Sequence, residues 1–321
     1  MVPPWPPGFA RTPDEEWTRA PVDSLAAKYD AVEKHGWYAN LDPTADEIVA
    51  WMPPGGTLID YSGGTGILLD RLAERGAHFG MINVDSSPKF LALCLAKFRD
   101  DERVAFRLIR FLKDEKRLQW LDEVLPLRGV DALVSANAIH LYYDLEDTLR
   151  SWRRVLRTDG RVFVQSGNIR NPDAPAGSWI IDDTVEAMQR AAQDIIREDA
   201  RFAAYRDRIG DARYDALRRK FFLPPRPLAL YVDALRGAGF EPVRIEARPV
   251  RAKTSEWFDF LAVYHEGVLG WVGGSERIEG REPTQAAVKD RLLIMRAALE
   301  RVLHGRDHFD ATWTYVTCKA A

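Results

Sequence analysis

The sequence predicts an α/β fold: a doubly wound, mostly parallel seven-stranded sheet with helices on both faces, an N-terminal helical segment, and two helical insertions forming a lid. Three observations carry this reading. From Thr57 onward, short apolar runs alternate with amphipathic helical stretches, as in a parallel sheet whose crossovers are helices. A glycine-rich turn, "IDYSGGTGI" (59–67), follows the first of those runs. Beyond Asn168, and again from about residue 250, a helical period interrupts the alternation before strand-like segments resume.

The elements follow in chain order. Residues 1 to about 20 are rich in proline and acid and predict an extended arm, ordered where Trp5, Phe9 or Trp17 docks. "VDSLAAKYDAVEKHGWYANLDPTADEIVAWMPPGG" predicts a helical pair: Leu25, Tyr29 and Val32 share one face, the pattern breaks near Gly36, and Ile48, Val49 and Met52 resume it before the Pro-Pro-Gly-Gly stop. Five strands are expected at 57–62, 78–85, 104–111, 130–136 and 161–167. The stretch "DLEDTLRSWRRVLRTDG" places Leu145, Leu149, Trp152, Val155 and Leu156 on one helix face, with Gly160 as the stop. "DDTVEAMQRAAQDIIRED" reads as a lid helix, with Glu186 three residues after a capping Asp183 and a stripe of Val185, Met188, Ala192 and Ile195. A helix closed by Gly237 and Gly239, a strand at 242–247, the helix "TQAAVKDRLLIMRAALERVL" and a final strand "TWTYVTCKA" complete the chain. The expected organisation is an arm with helices (1–55), a nucleotide-binding core (56–170), a helical lid insertion (171–226), and the rest of the core (227–321) with a second insertion at about 250–310.

Composition narrows the function classes. The 321 residues are 46% hydrophobic with a formal net charge of -3, which supplies no broad basic field for nucleic acid. Small molecules are therefore the expected partners. Cys94 and Cys318 lie far apart in apolar contexts and predict buried thiols in a reducing compartment. The N-terminus shows no basic patch with an apolar h-region, and no apolar run approaches a membrane span, so a cytoplasmic protein without membrane insertion is expected.

In open parallel sheets, ligands bind beyond the carboxyl ends of the strands, where the glycine turn lies. Gly63, Gly64 and Gly66 allow a tight turn whose N–H groups approach a ligand. A dinucleotide fingerprint would need a third glycine where Leu69 stands, which counts against a nicotinamide-dependent oxidoreductase. Asp60 ends the first strand instead, and Asp85 ends the next, where a carboxylate can accept both ribose hydroxyls.

With these residues the chain resembles the class I S-adenosylmethionine-dependent methyltransferases of small-molecule type. Asp60, Ser62, Gly64 and Gly66 occupy that family's acid-and-glycine motif, "INVDSS" its ribose-binding strand end, "VDALVSANAIHLYYD" its fourth strand and following loop, and "LRTDGRVFVQSG" the entry to its fifth strand. The resemblance implies S-adenosyl-L-methionine as cofactor and S-adenosyl-L-homocysteine as product. It implies that Asp60, Gly64 and Gly66 hold the methionine end and Asp85 the ribose, with Ser62, Gly63 and Ser86 among the cofactor-binding residues, and that Ala136 and Asn137 line the transfer mouth. Ser62 stands where the family has its first glycine, and Arg110 where many members place an adenine-binding acid, a role for which Asp114 is the substitute at hand.

Methyl transfer from a sulfonium is an in-line displacement in which positioning supplies roughly 7–11 kcal/mol without a protein nucleophile. An acceptor needing deprotonation favours a histidine. His140, in the loop after the fourth strand, is the candidate base; His35 and His265 are its rivals. The aromatic residues Trp37, Tyr38, Tyr142, Trp179, Tyr264 and Trp271 are expected to form a closed acceptor pocket, with O- or C-methylation favoured over N-methylation. "SANAIH" lacks the Asn/Asp-Pro-Pro-Tyr/Phe pattern that resembling enzymes use on exocyclic base amines. No metal site is expected, and His304 with His308 is a poor pair of ligands because Gly305 lies at a helix end. A catalytically silent cofactor-binding sensor or scaffold is the alternative outside the methyltransferases.

Overall fold

The fold is taken from a computed structural model that describes residues 5–321; the first four residues of the arm lie outside the described residues. Within the arm, Trp5 stacks on Phe9 at 5.1 Å, Phe9 lies under the Arg107 guanidinium, and Trp17 is buried. The helices α1 (Ser24–Val32) and α2 (Asp42–Trp51) flank a 3-10 turn at Gly36–Leu41. Asp23 caps α1 by accepting from the N–H groups of Leu25 and Ala26. Leu25 is exposed, contrary to expectation, and the covered side of α1 carries Ala26, Asp30 and Val32.

Among the described residues one sheet has seven strands: β1 (Thr57–Tyr61), β2 (Gly80–Asp85), β3 (Val104–Leu108), β4 (Val130–Ala136), β5 (Leu156–Ser166), β6 (Phe240–Lys253) and β7 (His308–Ala320). Their spatial order is β6-β7-β5-β4-β1-β2-β3; β7 runs antiparallel to both neighbours and the other pairings are parallel. Successive residues of the central strands enter opposite cores. Leu58, Met81, Phe106, Val134 and Phe163 pack on one side, and Ile59, Ile82, Ala105, Leu133 and Val164 on the other. A sheet covered on both faces needs such unbroken apolar runs, which is why the strands were readable from sequence.

Crossover helices α3 (Ile67–Glu74), α4 (Pro88–Phe98) and α5 (Leu145–Val155) connect the strands. The first insertion contributes α6 (Ile181–Glu198) and α7 (Ala212–Phe221), and α8 (Leu228–Gly237) returns to the sheet. The second insertion, between β6 and β7, contains α9 (Thr254–Val263), α10 (His265–Leu269) and α11 (Gln285–Val302).

Boundaries differ from expectation at four places. The third strand stops at Leu108, and Phe111–Leu112 pairs with Arg117–Leu118 in a separate small hairpin. The fifth begins at Leu156, where α5 has already ended. The last two strands run far beyond 242–247 and 312–320, because they pair with each other from Phe240↔Ala320 to Lys253↔His308 and need no third strand. Finally, α6 has Ile180 as N-cap with no side-chain cap, so Asp183 lies in its first turn; the Ile181 N–H is taken by the Gly167 carbonyl at 3.0 Å instead.

Candidate active site

The carboxyl ends of β1, β2, β4 and β5 open onto two adjoining cavities. The chain leaves β1 through Ser62, Gly63, Gly64, Thr65 and Gly66, of which Ser62, Gly64 and Gly66 have positive φ (63°, 54° and 85°). Ser62 holds this left-handed conformation despite its Cβ, with its N–H on the Val84 carbonyl at 2.7 Å and its hydroxyl bonded to Tyr142 at 3.1 Å. A Cβ on Gly63 would stand 2.6 Å from an Asp60 carboxylate oxygen, whereas one on Gly66 would stand 2.7 Å from Cys94 Sγ. Gly63 thus leaves room beside Asp60, and Gly66 lets α4 approach the turn. Cys94 and Cys318 are both free and buried.

The first cavity, ≈ 330 Å³, is lined by Glu33, Asp60, Asp85, Ser62, Gly63, Gly64, Ser86, Phe90, Leu118, Ala136, Asn137 and Tyr142, among others, and among the described residues by no Lys, Arg or His. Asp85 accepts from Gly64 N–H at 2.9 Å and Ser87 N–H at 2.7 Å; burial raises its pKa against those bonds. Asp60 is buried with neither carboxylate oxygen partnered. Burial and the nearby Asp85 charge push its pKa up to about 7. Glu33, from the end of α1, accepts from the Thr65 hydroxyl, and burial pushes its pKa up to about 8.

The second cavity, ≈ 220 Å³, has nine aromatic residues in its wall: Tyr29, Trp37, Tyr38, Phe221, Phe222, Trp257, Phe260, Tyr264 and Trp313. Trp257 stacks on Phe260 at 5.0 Å, and both meet Trp37 edge-on. Polar groups enter from His140, Asn137, Asp182 and Lys220. Asp182 accepts from Asn168 Nδ2 at 2.7 Å, and burial pushes its pKa up to about 8. His140 is neutral across the ordinary pH range, since burial and the Arg226 charge push its pKa down to about 3. Its Nδ1 lies 3.0 Å from Ser166 Oγ. That oxygen also accepts from the Asn168 N–H at 3.0 Å.

Tyr29, Tyr38, Asn137, Leu141 and Tyr264 border both cavities. Asn137, at φ 56°, is pinned there. It donates to Asn40 Oδ1 at 3.0 Å and accepts from Trp313 Nε1 at 2.7 Å.

Several expected site residues stand elsewhere. Tyr142 borders the first cavity, not the aromatic one. Asp114 is exposed in the small hairpin, and Arg110 is drawn away to Glu15 at 2.6 Å. His35 Nδ1 lies 3.3 Å from the Glu256 carbonyl, joining the N-terminal segment to α9 outside both cavities. His265 Nδ1 accepts from the buried Arg291 at 2.7 Å, and burial with that charge pushes its pKa down to about 4. Trp179 is latched through its backbone to Asp310 and Thr312, and Trp271 donates to Gln189 inside the lid at 3.1 Å. Sequence reasoning missed Glu33 and Asp182. Neither belongs to a motif, and an acid on an amphipathic helix ordinarily reads as solvated.

Residues 59–162 match the Methyltransferase domain family. An uncharacterized chloroplastic methyltransferase of Arabidopsis thaliana is 30% identical over 129 residues, covering 40% of this chain and 34% of that protein. The demethylmenaquinone methyltransferase of Thermotoga maritima is 26% identical over 145 residues, covering 44% and 58%. A hybrid PKS-NRPS synthetase of Emericella nidulans is 29% identical over 147 residues, covering 44% of this chain and 4% of its own length. The chain thus matches less than two thirds of the length of each of these relatives. A structure from Galdieria sulphuraria, described as a candidate sarcosine dimethylglycine methyltransferase, superposes with a TM-score of 0.51 at 11% identity over 92% of this chain and 98% of that one, a likeness of fold. Residues 59–162 thus carry a methyltransferase domain.

Proposed function

We propose that the protein transfers a methyl group from S-adenosylmethionine to a small, largely apolar acceptor held in the aromatic cavity. The observation that carries this reading is the pair of confluent cavities: one acidic and without a basic side chain, the other aromatic, with a shared border of Tyr29, Tyr38, Asn137, Leu141 and Tyr264. The residues present suit the cofactor. The unpartnered oxygens of Asp60 supply acceptors for the ammonium group of the amino-acid end, Gly63 and Gly64 leave the space beside it, and Asp85 with Ser86 stands ready for ribose hydroxyls. When bound, S-adenosylmethionine supplies a methyl carbon that bonds to the acceptor atom as its bond to sulfur breaks, with the electron pair remaining on sulfur.

The chain's own part is positioning, exclusion of water and proton handling. Tyr29, Tyr38 and Tyr264 bring aromatic faces to the border, where a sulfonium is attracted. Asp182 is the base: a carboxylate whose pKa lies near the working pH takes the acceptor's proton more effectively than His140, held near 3. A cavity equipped this way favours a phenol, enol or acidic carbon, whose nucleophile must be deprotonated, over an amine that reacts neutral. NAD(P)-dependent redox chemistry and a silent binding role are the competing outcomes.

The test is formation of S-adenosylhomocysteine from methyl-labelled cofactor across a panel of small phenols, enols and amines, followed as a function of pH. With a phenolic or enolic acceptor, activity rises with pH as Asp182 ionises through about 8. Asp182→Asn lowers kcat about 10²-fold or more and removes that limb. Binding without turnover on the whole panel contradicts the reading.

A further inference from the structure

Nothing in the glycine motif accounts for a third acid in the first cavity. Glu33 arrives from outside the matched domain, at the C-terminal end of α1, and the residue is 4% exposed. One oxygen accepts from the hydroxyl of Thr65, itself buried within the glycine turn, which leaves the other for a ligand. The groups facing it come from four other parts of the fold: Asp60 on β1, Lys97 on α4, Tyr38 on the 3-10 turn, and Tyr264 beside α10. Tyr29 and Asp30 face it from its own helix. Lys97 does not neutralise the cavity, because its ammonium is shared among Asp30 at 3.0 Å, Asp70 at 2.5 Å and the Thr65 carbonyl at 3.1 Å. Among the described residues, the cavity wall therefore holds three carboxyl groups, those of Glu33, Asp60 and Asp85, and no basic side chain. A ligand group that ionises Glu33 and Asp60 has to bring positive charge.

We propose that Glu33 is a positioning residue for the cofactor, a second carboxylate that with Asp60 holds the α-ammonium group of the methionine end and makes the N-terminal segment part of the binding site. The inference rests on the methyltransferase reading and extends it to a residue outside the domain. A mere clasp on Thr65 would need only a hydrogen-bond acceptor, whereas a ligand for an ammonium has to be ionised. Burial keeps the free Glu33 carboxyl protonated up to about pH 8, so binding of a cation expels its proton.

Titration calorimetry with S-adenosylhomocysteine at pH 7, in buffers of differing ionisation enthalpy, counts the protons released per molecule bound and requires no turnover. Glu33→Gln keeps the acceptor for Thr65 and removes the charge. We expect it to release roughly one proton fewer than wild type and to bind about tenfold more weakly. Glu33→Asp, which keeps a carboxyl, retains the proton release and serves in place of the glutamine variant if that chain does not fold. Unchanged proton count and affinity in Glu33→Gln, or loss of release in Glu33→Asp, overturns the inference while leaving the functional reading intact. Failure of wild-type protein to bind S-adenosylhomocysteine would overturn both.

Discussion

At the scale of single residues, the glycine turn separates two jobs that its sequence writes alike. Gly63 faces Asp60 and the cavity, whereas Gly66 faces Cys94 and Phe98 in the core. Gly63→Ala should weaken cofactor binding about tenfold or more, with some loss of stability, since the new methyl, 2.6 Å from the buried Asp60 carboxylate and 3.1 Å from Asn83, displaces that carboxylate. Gly66→Ala combines a crowded Cβ with a φ of 85°, and should cost about 1–3 kcal/mol of stability in chemical denaturation. Equal effects of the two on binding alone would contradict this division. The motif was legible because Asp60, Gly64 and Asp85 are brought together by the local chain and adjacent strand ends. Glu33 and Asp182 were not, because a buried acid on a helix looks like a solvated one until the opposite element is placed. Of the three histidines, His140 stands in the wall of the aromatic cavity with Ser166 against its Nδ1, whereas His35 and His265, held by the Glu256 carbonyl and Arg291, stand outside both cavities.

At the scale of elements, strands covered on both faces announced themselves by continuous apolar runs, while the β6–β7 ribbon did not. Its register continues to Lys253↔His308 through residues such as Arg248, Arg251 and Asp310, chosen for a partly solvated edge. That extension carries the second insertion toward the N-terminal segment, where Tyr29 stacks on Phe90 and meets Phe260 and Tyr264. The aromatic wall is thus assembled from elements more than two hundred residues apart, which no local pattern records. Since α1 and the following 3-10 turn close one side of the first cavity, bound cofactor should hold them down. Limited trypsin digestion at Lys28 and Lys34 should slow at least fivefold with saturating S-adenosylhomocysteine. Cleavage there at an unchanged rate would place the segment outside the site.

For the whole molecule, the buried acids tie folding to ligand. Glu33, Asp60 and Asp182 have folded pKa values of about 8, 7 and 8, raised above those of the unfolded chain. The folded state therefore binds more protons than the unfolded one between about pH 4 and 8, and stability is lost as pH rises through the folded values. The ligand-free protein should accordingly show a falling Tm from pH 6 to 9. Saturation with S-adenosylhomocysteine, which satisfies two of the three carboxylates, should widen the gap between bound and free Tm over that range; a gap independent of pH would show that they do not meet the ligand. The account's central claim is that the acidic cavity is an S-adenosylmethionine site, and its most direct test is calorimetric titration of ligand-stripped protein with S-adenosylmethionine, S-adenosylhomocysteine, NADH and NADPH, repeated on Asp85→Ala. Binding of the two sulfur compounds at micromolar Kd or tighter, its loss in the variant, and indifference to both dinucleotides is the predicted result. Binding of a dinucleotide alone, or of none of the four, would contradict it.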